Sequence, residues 1–127
     1  MLVVIDTNVL VSALWSRNGA PAKIINMVLN GRLIPCYDWR ILCEYREVLL
    51  RPKFGFTQNE VNALLDWFES FGRSVVAEPC KECFIDESDK KFYEVAKFCN
   101  ATLITGNIKH FPSEPNIVTV SEFLAEY

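Results

Sequence analysis

Leu2-Val3-Val4-Ile5-Asp6-Thr7-Asn8-Val9-Leu10 begins with four apolar residues, three of them β-branched, and the run is stopped by an acid. An apolar run without alternation reads as a strand buried on both faces, and such strands belong to parallel sheets. Short runs of the same kind recur at Leu33–Tyr37, Ser74–Ala77, Thr102–Thr105 and Ile117–Val120. Helical patterns cover Val9–Trp15, Pro21–Asn30, Asp38–Leu50, Thr57–Phe71, Ser88–Asn100 and Ser121–Glu126. Strand and helix in alternation predict an α/β fold around a mostly parallel sheet of about five strands. Thr57-Gln58-Asn59-Glu60 spells a capping box, Pro21 suits a first helical turn, and Gly31 falls where a helix ending at Asn30 would be capped.

The 127 residues, half of them hydrophobic, suffice for one domain over positions 1–127 but not for two. No apolar run approaches the roughly 18 residues of a membrane span, and the acid at position 6 comes too early for a signal peptide, so a cytoplasmic protein is expected. Thirteen basic against sixteen acidic residues give a net charge of −3, which excludes the broad basic surface of a general DNA coat protein. A local acidic pocket is compatible with that balance.

Five cysteines, an odd number scattered through apolar segments, argue against a disulfide framework. Cys80-Lys81-Glu82-Cys83 is the one CxxC motif. A redox role would want a helix starting at the motif, and a zinc role would want a second ligand pair; neither is evident.

In an open parallel sheet, ligands collect at the carboxyl ends of the strands, where strand order reverses. Asp6 ends the first strand and Asn107 lies just past the fourth, so both open onto that edge. Asp6 or Asn8 could instead cap the following helix. Glu44 sits on the flank of the stripe formed by Ile41, Leu42, Tyr45, Val48 and Leu49, whereas Glu47 points with Arg40 toward water. A snorkelling surface acid, or an ion pair between Glu44 and Arg40, is the plainer reading. Asp89 has Phe92, Tyr93 and Ala96 at i+3, i+4 and i+7, which turns its carboxylate to the buried side, where it must neutralise, pair or bind a cation. The competing explanation makes Asp86 the helix N-cap and Asp89 a third-position acid that complements the helix dipole. A strand-end Asp, a helix-flank Glu and a helix-start Asp suit an oxygen-lined site for Mg²⁺ or Mn²⁺ completed by substrate phosphate.

These residues resemble the PIN domain, and in particular the VapC-like toxin branch of that nuclease superfamily. The blocks that carry the resemblance are Val3-Val4-Ile5-Asp6-Thr7-Asn8-Val9-Leu10, Glu44-Tyr45-Arg46-Glu47-Val48-Leu49 followed by Arg51-Pro52-Lys53-Phe54, Asp86 and Asp89 before Lys91-Phe92, and Leu103-Ile104-Thr105-Gly106-Asn107; Ser121-Glu122-Phe123-Leu124 is similar to the family's ending. Together they span nearly the whole chain. The resemblance implies a three-layer α/β/α sandwich, an acidic metal site at the carboxyl edge, and cleavage of RNA. By position, Asp6, Glu44 and Asp89 match the metal-site acids. Asn107 stands where many relatives have a fourth acid, which lowers the negative charge while keeping a carbonyl oxygen. Thr7, Asn8 and Thr105 are expected to orient ligands or water, and Asp86 belongs to the same outer group. His110, the only histidine, follows Lys109 where many relatives carry an acid; phosphate contact, proton transfer and a local structural role all stay open.

The activity implied is Mg²⁺- or Mn²⁺-dependent hydrolysis of RNA phosphodiester bonds, with a small antitoxin protein and a homodimer as implied partners. Arg46, Arg51, Lys53 and Lys109 are candidate phosphate contacts, and Trp15, Trp39 and Tyr45 are candidate base-stacking groups. Three rivals stand beside it. One is a catalytically weakened PIN fold that binds RNA or assembles, as Asn107 permits. A phosphohydrolase of the haloacid dehalogenase type would want an acid where Asn8 stands. A thiol redox protein would need a reactive Cys80.

Overall fold

The computed structural model describes residues 1–127. Five strands form one parallel sheet: β1 (Leu2–Ile5), β2 (Ile34–Tyr37), β3 (Arg73–Ser74), β4 (Thr102–Ile104) and β5 (Ile117–Val118). Their order is β3-β2-β1-β4-β5, with every pair parallel. The chain steps outward from β1 to β2 to β3, then returns to the other side of β1 for β4. Strand order therefore reverses at β1, and the carboxyl ends of β1 and β4 flank the switch point where such sheets bind ligands.

Val3, Val4 and Ile5 are all completely buried, although successive side chains of a strand point to opposite faces. Both faces of β1 are thus covered, as the unalternated sequence predicts, and the fold is a three-layer α/β/α sandwich. The cover comes from α1 (Thr7–Trp15), α2 (Ala20–Leu29), α3 (Trp39–Leu49), α4 (Gln58–Phe71), α5 (Lys90–Cys99) and α6 (Val120–Glu126). None of these helices is long and apolar enough to cross a membrane.

Local chemistry sets the helix ends. Thr57 and Glu60 form the expected capping box at α4, and Thr119 with Glu122 forms another at α6. Asp38 caps α3 by accepting from the Ile41 amide at 3.0 Å. Gly31, past the end of α2, takes the left-handed conformation that its place requires (φ 85°). Gly72 is needed for a different reason: a Cβ there would lie 2.5 Å from the Phe68 carbonyl oxygen and 2.6 Å from that of Pro35. Only glycine lets the end of α4 approach β2 this closely.

The run at Ser74–Ala77 departs from expectation. Only Arg73 and Ser74 pair as β3, and Val76 is exposed. Beyond the Val75 amide, which donates to the Tyr37 carbonyl, the chain runs to residue 86 without pairing into the sheet. Side chains of α5 tether that stretch: Glu94 accepts from the Cys80 amide at 2.7 Å and the Tyr93 hydroxyl donates to Glu82 at 2.8 Å.

Candidate active site

Asp6 leaves β1 at its carboxyl end. Its amide still donates to the Ile104 carbonyl of β4, so the backbone carries the residue onto the rim beside the neighbouring strand. The carboxylate is buried, and although Asp6 is the N-cap residue of α1, its side chain makes no capping hydrogen bond. It turns instead to the Thr105 hydroxyl, which donates to it at 2.7 Å. Thr105 is fully buried, and its oxygen also accepts from the Asn107 amide at 2.9 Å. One hydroxyl therefore links the first acid to the loop that carries Asn107. Asn8 makes a second link, accepting from the Gly106 amide at 3.3 Å.

Glu44 reaches the rim from α3. One of its oxygens accepts from the Thr7 hydroxyl and the other lies 2.6 Å from the Lys91 ammonium. The predicted partner Arg40 is elsewhere: it bridges Asp38 at 2.7 Å and Glu94 at 2.8 Å, both buried carboxylates, rather than pointing to water with Glu47. Two buried acids on neighbouring elements outcompete solvent for a guanidinium that can serve both at once. Glu47 pairs with Arg51 one turn on.

Asp89 is buried, as its helical spacing predicts, but the local geometry differs from the capping alternative. Residues Glu87–Asp89 form a separate 3₁₀ turn, and α5 starts at Lys90. Asp86 accepts from the amide and hydroxyl of Ser88, which occupies it within that turn. Asp89 makes no cap bond; its carboxylate lies 3.1 Å from Nδ1 of His110. The lone histidine is thus engaged by an acid of the rim rather than by a backbone group.

Asp6, Asn8, Glu44, Ser88 and Asn107 line one cleft of about 400 Å³, with Arg51 and Phe54 at its wall. Burial pushes the Asp6 carboxyl up to about 6, reinforced by the negative charges of Asp89 and Glu44 and opposed by the Thr105 hydrogen bond. Burial likewise raises Asp89, with Asp86 and Glu44 adding and His110 opposing. Asp86 is lowered by its hydrogen bonds to Ser88. Asp6 and Glu44 line the cleft itself; Asp89 stands outside that lining, next to Ser88, and its charge and that of Glu44 both act on Asp6.

As the side chains stand, no three His, Cys, Asp or Glu residues are gathered into a metal-binding cluster. The contacts above give the reason, since Lys91 and Thr7 engage Glu44 and His110 engages Asp89. By chemistry the donor set fits a hard divalent cation: it is all oxygen, and two of its three carboxylates are buried. Asp6, Glu44 and Asp89 are the residues able to hold one.

Of the stacking candidates, Tyr45 is excluded by complete burial, its hydroxyl donating to the Ile5 carbonyl. Trp15 and Trp39 are exposed, and Trp15 packs edge-on at 5.9 Å to Phe54 of the cleft wall. All five cysteines are free, and burial raises the Cys80 thiol, the reverse of what a redox nucleophile needs. Sequence reasoning left out Lys91. Its partner Glu44 lies on another helix, and no local spacing signals that contact.

An acid-lined cleft at the switch point of a parallel 3-2-1-4-5 sheet lies where an open α/β fold binds its ligand. Residues 2–109 match the family model described as PIN domain. An uncharacterized protein of Methanocaldococcus jannaschii is 35% identical over 108 residues, covering 83% of this chain and 70% of that protein. A chain in the crystal structure of VapBC2 from Rickettsia felis, bound to a DNA fragment from their promoter, superposes with a TM-score of 0.60. That match is 20% identical in sequence and covers 94% of this chain and 97% of the other. The chain belongs to the PIN-domain family, a family of nucleases.

Proposed function

We propose that the protein is a metal-dependent endoribonuclease of a single PIN domain, acting in the cytoplasm as the toxin of a toxin-antitoxin pair. The observation that supports this reading is the approach of Asp6, Glu44 and Asp89 to the carboxyl rim from three separate elements, with Asp6 buried and its carboxyl raised to about 6 by that burial first and by the charges of Asp89 and Glu44 after it. In this reading those three residues hold Mg²⁺ or Mn²⁺, and Asn107 offers a neutral oxygen to the same cleft. A bound ion of this kind supplies an activated water and charge stabilisation at phosphate.

The chain's own residues do the rest. Thr105 orients Asp6 and fixes the Asn107 backbone through the same hydroxyl, Thr7 orients Glu44, and Asn8 fixes the loop at Gly106. Asp86 shapes the turn that presents Asp89, and His110 holds the Asp89 carboxylate. Arg51, at the cleft wall, and Lys53, two residues on, are candidate contacts for a phosphate backbone. The VapBC2 likeness favours a small antitoxin as partner, and a homodimer belongs to the same reading.

Asn107 favours one alternative, a weakened PIN fold that binds RNA without cutting it. Incubating the purified protein with a mixed RNA pool and Mg²⁺ or Mn²⁺ separates the two. Cleavage that disappears with EDTA and with Asp6→Asn supports the enzyme. Retention of RNA without cleavage supports the binding module, and equal cleavage by Asp6→Asn removes Asp6 from the chemistry.

A further inference from the structure

We infer that Lys91 is a built-in cation of the acid site, supplying the positive charge of a second metal ion so that the site takes a single divalent ion. The inference rests on the reading that Asp6, Glu44 and Asp89 bind a divalent cation.

A lysine at the start of a helix ordinarily runs its stem along the surface and leaves its ammonium in water. Lys91 does the opposite. Its side chain is only 12% exposed, its ammonium lies 2.6 Å from Glu44, and it donates to the Ser88 carbonyl in the turn that presents Asp89. The ammonium is therefore fastened between two of the three acid-bearing segments. Because the other Glu44 oxygen is held by Thr7, Glu44 cannot swing away to leave Lys91 unpaired without also breaking that bond.

Charge balance sets the number of ions. At the ligands themselves, Asp6, Glu44 and Asp89 against one ammonium leave two negative charges, which one divalent ion neutralises; Asp86 is occupied by Ser88, and His110 faces Asp89 from outside this count. Asn107 adds none, and the other nearby cation, Arg51, is turned to Glu47. A second divalent ion would enter a neutral site and face an ammonium in partly buried surroundings, where charges a few ångströms apart interact several times more strongly than in water. The same ammonium offsets the charge of Glu44 in the folded, metal-free protein, and it weakens binding of the first ion by competing for Glu44.

Titration of the full-length protein with Mn²⁺, following free ion by electron paramagnetic resonance, tests this. The expected result is one Mn²⁺ per chain for the wild type and affinity at least about tenfold tighter for Lys91→Met, with a lower thermal midpoint for that variant in EDTA and a larger gain on adding Mn²⁺. Lys91→Gln, which keeps a polar tip, controls for packing and should also bind more tightly. Two ions per wild-type chain, or variants that bind no tighter, overturn the inference and leave the acid site standing. Absence of Mn²⁺ binding by the wild type and both variants overturns the acid site itself.

Discussion

The Thr105 hydroxyl donates to the Asp6 carboxylate at 2.7 Å, joining the carboxyl ends of two adjacent strands that lie 99 residues apart in the sequence. The bond favours the ionised acid against the burial that opposes it. Thr105→Val keeps the shape and removes the donor. It should raise the Asp6 carboxyl further, destabilise the fold by roughly 1–2 kcal/mol, and lower cleavage by about 10- to 100-fold. Carboxylate titration by NMR beside urea denaturation checks the first two, and a variant indistinguishable from wild type in both would show the bond to be inconsequential.

Asp6 sets a direction for stability against pH. Its carboxyl is raised from 3.8 to about 6 in the folded protein, so the folded state holds the proton more tightly than the unfolded chain. That contribution is complete below about 3.8 and is lost as pH rises through about 6. Metal-free Asp6→Asn should therefore be more stable than wild type near pH 7, by roughly 1–3 kcal/mol, with the advantage fading toward pH 4. Urea midpoints of the two proteins in EDTA measure the difference, in which the other titrating groups largely cancel. A pH-independent difference would contradict the burial argument.

Arg40 is the cation that makes two buried carboxylates tolerable, Asp38 and Glu94 being 2% and 5% exposed. Arg40→Met should cost about 3 kcal/mol or more, because it strands both acids. The exposed pair of Arg51 and Glu47 offers the contrast, and Glu47→Ala should cost under about 1 kcal/mol. Chemical denaturation of the two variants gives the comparison directly. Equal small losses would mean that water reaches Asp38 and Glu94.

What could be read from the sequence was what local pattern dictates. The unalternated Val3-Val4-Ile5 run marked a strand covered on both sides, and the spacing of Phe92, Tyr93 and Ala96 turned Asp89 inward. Thr57 and Glu60 marked the start of α4 to the residue. Partners on other elements left no such trace. Arg40 carries no mark that it bridges Asp38 to Glu94, and Lys91 none that it meets Glu44. The run at Ser74–Ala77 looked like a strand because β-branched residues favour one, but pairing with β2 stops after Ser74 and Val76 stays in water. The Asp86 capping alternative holds in part: Asp86 does cap, through the Ser88 amide, with Asp89 three residues on, but the turn it caps is a 3₁₀ turn over Glu87–Asp89 that runs directly into α5 at Lys90.

Asp6, Glu44 and Asp89 reach the rim from β1, α3 and the entry to α5, and the proposed chemistry requires them to share one divalent ion. Anomalous diffraction from crystals soaked in Mn²⁺ is the decisive measurement. A single strong peak is expected in the cleft, in contact with oxygens of these acids, with His110 drawn off Asp89 to make room and Lys91 still beside Glu44. A peak at other residues, or an empty cleft in which Glu44 still grips Lys91 and Asp89 still faces His110 at saturating Mn²⁺, would show that the three acids do not form one metal site.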